Sequence, residues 1–208
     1  MLGTPVVYVD TLKEEYNCRV KIQHRMSKCA ASNAAGTSDM PDNQQERLIK
    51  SGWIVGFIEG EGCFSIGFIK QPNRLHRSGY KTGLQVWHEF AVTQGASSFS
   101  ALEEIRSFFG VGKIYLNKRY DNHKEHLYRY VVRKREDLLR VVIPFFSSQT
   151  MRTVKKKQFE RFVKVLRMMQ RSEHLSREGL ETILHIAQQM NVKKDRGDLI
   201  KILREHTP

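Results

Sequence analysis

Cysteine is scarce in this chain. The three present, Cys18, Cys29 and Cys63, form no even set and show no metal-ligand spacing. A disulfide framework and a zinc site are therefore not expected, and a reducing compartment is. Long apolar runs are missing too. No stretch approaches the roughly 18 consecutive apolar residues of a membrane span, so no membrane partner is expected. Negative charge is the third shortage: 22 Asp and Glu face 35 Lys and Arg, a formal charge of +13 over 208 residues. A surplus of that size favours a polyanionic partner, most often nucleic acid. Hydrophobic residues make up 40% of the chain, enough for one sizeable core with additions.

Residues 1–43 read as an N-terminal extension, partly flexible, and residues 44–208 as the domain. Pro5 to Val9 could form a short strand. Ala30 to Asn43 is small and polar, with Gly36 and Pro41 in it, and reads as a linker. The extension mixes Lys13, Arg19, Lys21, Arg25 and Lys28 with Asp10, Glu14 and Glu15. It has no basic start followed by an apolar core, which argues against a secretory signal, and its early acids argue against an organelle-targeting peptide. It is either a loosely ordered tail or an arm that reaches along DNA.

What is present is concentrated in Trp53-Ile54-Val55-Gly56-Phe57-Ile58-Glu59-Gly60-Glu61-Gly62. Asp42 and Gln45 have capping-box spacing and predict a helix start near Asn43. Leu48, Ile49, Trp53, Phe57 and Ile58 keep a helical apolar stripe to its end. Gly56 and Gly60 are four residues apart and share a face on which another backbone can approach closely. Gly60 and Gly62 stop the helix around Glu61. Further on, the pattern predicts strands at 63–70 and 84–92 joined by a basic loop over 71–82. A helix over 99–109, a Gly110-Val111-Gly112 turn, and strands at 113–117 and 127–133 follow. Helices are predicted over 137–146, 155–169, 177–190 and 197–204.

The run Ile54 to Gly62 resembles the signature of the LAGLIDADG homing endonucleases, keeping both motif glycines, Gly56 and Gly62, with both acids present as Glu. Phe90-Ala91-Val92-Thr93-Gln94 is similar to that family's strand-end segment, and Phe109-Gly110-Val111-Gly112 to its helix-to-strand turn. Ile143-Pro144-Phe145-Phe146 followed by Lys155-Lys156-Lys157-Gln158-Phe159 is similar to its proline-apolar, then lysine segment. The resemblance covers roughly residues 44 to 204. It implies an α+β, αββαββα fold with a curved antiparallel DNA-binding sheet and extra C-terminal helices. The implied function is that of a site-specific, Mg²⁺-dependent double-strand DNA endonuclease acting on a long pseudo-palindromic target and promoting intron mobility. The alternative on the same fold is an intron RNA maturase. The implied location is an organelle, chloroplast or mitochondrion, or the cytoplasm of the intron-bearing genome.

No second glycine-acid-glycine helix end occurs in the sequence. The resemblance therefore implies a homodimer whose interface uses Val55, Gly56, Glu59 and Gly60, with two copies of Glu61 meeting at the base of the helices. The two sheets would form a saddle over about 20 base pairs. Hard cations held by carboxylates can neutralise a phosphodiester and activate water, and two Glu61 carboxylates suit that need. The family's metal site adds the main-chain carbonyl of Gly60. Glu59 is read as structural, capping or bonding at the helix base, with catalysis as the less favoured alternative. Lys155 matches the family lysine, with Lys156 and Lys157 as neighbouring registers. Gln94 matches a residue that orders water, or is an ordinary strand-end glutamine.

Strand alternation assigns a face for reading bases. It carries Ser65, Gly67, Ile69 and Gln71 on the first strand, and Gln85, Trp87 and Glu89 on the second. Tyr115, Asn117, Lys118, Arg119, His126, Tyr128 and Tyr130 are placed there from the last two strands. Trp87 and the tyrosines become core residues if the register slips by one. Arg74, Arg77 and Lys81 are placed at outer bases or phosphates. Lys193, Lys194 and Arg196 are placed on phosphates.

Overall fold

A computed structural model describes residues 41–71, 82–118 and 125–190, together with Leu199. The expected N-terminal strand, the loop arginines Arg74 and Arg77 with Lys81, and Arg119 all lie outside the described residues. So do Lys193, Lys194, Arg196 and the helix expected from Gly197.

Helix α1 spans Pro41–Glu61 and is followed directly by strand β1, Gly62–Lys70. The helix thus begins two residues before the expected start near Asn43, and the fixed φ of proline suits a first helical turn. Strand β2 spans Leu84–Gly95, and a 3-10 turn over Ala96–Ser98 leads into α2, Phe99–Phe109. Gly110 ends α2 with φ 65, the left-handed conformation that glycine adopts without a steric penalty. Strands β3, Lys113–Asn117, and β4, Leu127–Val132, complete a four-stranded antiparallel sheet in the order β1-β2-β4-β3. Helix α3 runs through Arg135–Asp137 and Ile143–Ser147 with a π-helical turn, Leu138–Val142, between them. Pro144 lacks an N–H, and its ring crowds the carbonyl four residues back, so the wider turn lies where the regular ladder cannot continue. Helices α4, Lys155–Gln170, and α5, Arg177–Met190, follow.

The helices cover one face of the sheet. Phe64 and Ile66 of β1, Leu84, Val86, Phe90 and Val92 of β2, and Tyr130 and Val132 of β4 enter one core with Ile54 and Ile58 of α1. Leu102, Phe146, Phe162 and Ile183 join it from the other helices. Phe64 links the sheet to the helices in its aromatic part. It stacks on Phe90 with centroids 5.1 Å apart and meets Phe146 edge-on at 5.6 Å. Such pairs add specific geometry to the area they bury. His88 shares this side, opposite Ile66. Burial, with the charges of Arg135 and His174 nearby, pushes its imidazole down to about 4.

The fourth strand corrects the expected register. Tyr128 and Tyr130, expected to read bases, are 7% and 0% exposed and belong to the core. The Tyr130 hydroxyl donates to the Val111 carbonyl at 2.8 Å, which ties the turn after α2 to the sheet. Leu127, Arg129 and Val131 therefore lie on the opposite face. Aromatic or aliphatic residues at both parities of Leu127-Tyr128-Arg129-Tyr130-Val131-Val132 make either register look core-facing, and pairing with β2 decides between them.

Candidate active site and nucleic-acid interface

The site begins where α1 turns into β1. Gly62 is buried against the helix it follows, and a Cβ there would lie 2.7 Å from the Ile58 carbonyl oxygen. Only glycine lets the strand leave at this angle without a collision. The turn leaves Glu61 exposed as the last helical residue. Helix ends carry carbonyls without intrahelical donors and a partial negative charge, both of which attract cations.

Two contacts from the segment around the start of α4 fix this end. The Lys155 ammonium donates to the Gly62 carbonyl at 2.6 Å. Glu59 Oε1 accepts hydrogen bonds from the backbone N–H groups of Arg152 and Thr153, each at 2.7 Å. Burial raises the Glu59 carboxyl, but the N–H groups of Thr153 and Arg152 outweigh it and hold the group below its ordinary value. The two motif acids thus differ: Glu59 is bonded within its own chain, and Glu61 is open. Of the three adjacent lysines, Lys155 is half-buried beside the motif, while Lys156 and Lys157 are exposed. Gln94 is half-buried near the same end of the sheet, two residues beyond Val92, which pairs with Gly62.

One face of α1 is bare. Gly52, Gly56 and Gly60 have nothing within 4 Å of a Cβ built on them. Ile49 and Trp53 beside them are 64% and 37% exposed. Val55, expected in an interface, is 7% exposed and already packed in the chain's own core. Val55 is thus removed from the expected contact surface, whereas Gly56 and Gly60 are exposed on it.

The sheet face away from the helices carries Ser65, Gly67 and Ile69, paired with Glu89, Trp87 and Gln85 respectively. Gln71 donates to Gln85 at 2.9 Å. A Cβ on Gly67 would collide with the Trp87 ring, so glycine is what lets the indole lie across β1. Tyr115 and Asn117 share this face on β3, opposite Arg129 and Leu127. Lys118 and His126 are exposed just beyond the ends of β3 and β4.

The centre of this face holds a group that strand alternation did not reveal. Glu89 is 3% exposed, although it lies on the side without helices. Both guanidinium nitrogens Nη1 and Nη2 of Arg129 donate to it, and Arg133 Nε donates to Oε2 at 3.1 Å. Arg129 sits opposite Thr93, and the Ala91–Val131 pair lies between it and Glu89 along the strands. Its stem therefore crosses that pair, which accounts for Ala91 and Val131 being 2% and 4% exposed on an otherwise open surface. An acid within an apolar strand, with arginines on a later one, was the available signal.

The donors at the motif end suit a hard divalent cation: an exposed carboxylate on Glu61 and the preceding Gly60 carbonyl, all oxygen. Among the described residues no three His, Cys, Asp or Glu side chains cluster. Among the described residues one chain contributes a single free carboxylate here, and a complete site would need donors from elsewhere.

An αββαββα domain whose glycine-lined helix ends in an open carboxylate, set beside a helix-free sheet face, has the architecture of the homing-endonuclease fold. The family model described as LAGLIDADG endonuclease matches residues 54–166, more than half the chain, and the protein belongs to that family. It is 38% identical to a homing endonuclease solved as I-TnaI, with a TM-score of 0.61, covering 76% of this chain and 97% of that one. I-SmaMI, solved bound to uncleaved DNA target in the presence of calcium ions, is 30% identical with a TM-score of 0.63; the match covers 76% of this chain and 50% of that one. Among curated proteins, a probable intron-encoded endonuclease 2 of Neurospora crassa is 25% identical over 181 residues, 85% of this chain and 34% of the relative. The chain spans about a fifth to a third of the length of the curated relatives it matches.

Proposed function

We propose that the protein is a site-specific DNA endonuclease that cuts both strands as a homodimer. The observation that carries this reading is that the motif end holds an exposed Glu61 next in sequence to Gly62, whose carbonyl fixes the Lys155 ammonium. The bare Gly52, Gly56 and Gly60 face would let a second α1 pack backbone to backbone. An isologous contact of that kind brings a second Glu61 to the twofold axis. Two carboxylates there repel unless cations lie between them. Magnesium ions would be held by Glu61 and the Gly60 carbonyl of each protomer, and would supply charge neutralisation and an activated water at the phosphate. Lys155 contributes a fixed positive charge where negative charge develops. Gln94 is assigned to ordering water at the same end.

The open sheet face would lie in the major groove, with Ser65, Ile69, Gln71, Gln85, Trp87, Tyr115 and Asn117 toward base edges. Intron-borne relatives support a role in intron mobility and residence in the compartment of the intron-bearing genome. The test is incubation with a randomised duplex library, with and without Mg²⁺, followed by selection of cleaved sequences. Cutting at one long, roughly palindromic site only with the metal is expected, and Glu61→Gln should abolish cutting while binding persists. Wild-type cutting rates in Glu61→Gln would refute the assignment.

A further inference from the structure

We propose that Glu89 is a positioning residue for sequence discrimination and that Arg133, which it orients, reads a guanine in the major groove. The inference rests on the DNA-binding reading above and adds the base that one named side chain selects. Arg129 spends both Nη1 and Nη2 on Glu89, and its side chain is 34% exposed. It lies along the sheet and serves as a cover for Ala91 and Val131. Arg133 differs. It meets the same carboxylate through Nε, and its side chain is 62% exposed. One edge of the guanidinium is anchored on a buried acid, and the side chain is mostly exposed with no protein partner for Nη1 or Nη2 among the described residues, which leaves that fork available to a base edge. Two parallel N–H donors in a fixed plane match O6 and N7 of guanine and no other base edge in the groove.

The acid also sets the charge. Two arginines on one carboxylate leave a local charge of +1 in place of +2, with both side chains immobilised. Without Glu89 both would be mobile cations, able to bind any phosphate, and affinity would rise for all sequences alike. A buried carboxylate on a surface meant for a polyanion costs binding strength; its return is orientation. Ser65 on β1 is the other cross-strand neighbour of Glu89 and is too short to compete for the arginines.

The experiment selects bound duplexes from a randomised library with the full-length protein, as wild type, Glu89→Gln, Arg133→Ala and Arg133→Lys, with thermal unfolding recorded for each. Wild type should show a guanine preference at one position in each half-site. Arg133→Ala should lose about 5- to 150-fold of discrimination at that position and keep the others. Arg133→Lys should restore affinity without restoring the preference. Glu89→Gln should flatten the same position and bind non-target DNA more tightly. An unchanged profile in Arg133→Ala overturns the inference while leaving the DNA-binding reading intact. A wild type that selects no sequence overturns both. A guanine preference unchanged in Glu89→Gln overturns the positioning role, and if that variant fails to fold, Glu89→Asp, whose shorter carboxylate withdraws from Arg133, is judged by the same preference.

Discussion

Lys155 donates a 2.6 Å hydrogen bond to the carbonyl of Gly62, 93 residues earlier in the chain. That contact distinguishes one lysine from its two exposed neighbours and places an ammonium beside the open Glu61. Lys155→Met should reduce cleavage by about 100-fold or more, in line with loss of one preorganised charge. Lys156→Met and Lys157→Met should each stay within a few-fold of wild type. Single-turnover cleavage with saturating enzyme, set against binding by gel shift, separates a chemical defect from a binding one.

The bare face of α1 has a two-part consequence. Glycine inside a helix costs about 1 kcal/mol relative to alanine, and a side chain at Gly56 meets open space within the protomer. Gly56→Leu should therefore keep helical circular dichroism and a folded protomer. It should also halve the mass seen by sedimentation equilibrium and abolish double-strand cutting. Retention of both would show that α1 is not where two copies meet.

Tyr130 tests the corrected face. Its hydroxyl serves the Val111 carbonyl beneath the sheet. Tyr130→Phe should lower stability by about 1 kcal/mol in urea unfolding and leave the base preferences of a selection experiment unchanged. A change in preference without loss of stability would return Tyr130 to the reading face.

His88 predicts a pH dependence. Its ordinary value is 6.5, and the folded state lowers it to about 4. The folded chain therefore holds His88 neutral where the unfolded chain is protonated. The associated stability is complete above pH 6.5 and is lost as pH falls toward 4. Glu59, also held below its ordinary 4.5, adds a loss of the same sign at lower pH. Urea midpoints should fall from pH 7.5 to pH 4.5, and His88→Gln should flatten the upper part of that curve.

Much of the fold was legible because local signals agree along the chain. Helix α2 and strand β3 fall where periodicity puts them, since Phe99–Phe109 keeps a single apolar stripe and Gly110 with Gly112 punctuates the turn. The motif end was legible for a similar reason: glycine is required at Gly62 by a clash within its own helix turn, a constraint local to five residues. Glu61, Gly56 and Gly60 follow from the same short stretch. The sheet's reading face was legible on β1, where apolar and small residues alternate cleanly, and illegible on β4, where they do not.

Sequence alone therefore determined the family, the order of the elements and the acid that stands open at the end of α1, because each depends on neighbours within a few residues. Tertiary structure decided which lysine reaches the motif, which face of β4 is buried, and that Glu89 gathers Arg129 and Arg133. Those three outcomes depend on strand register and on contacts between residues 32 to 93 positions apart, where side-chain reach and cross-strand pairing, rather than local pattern, select the partner.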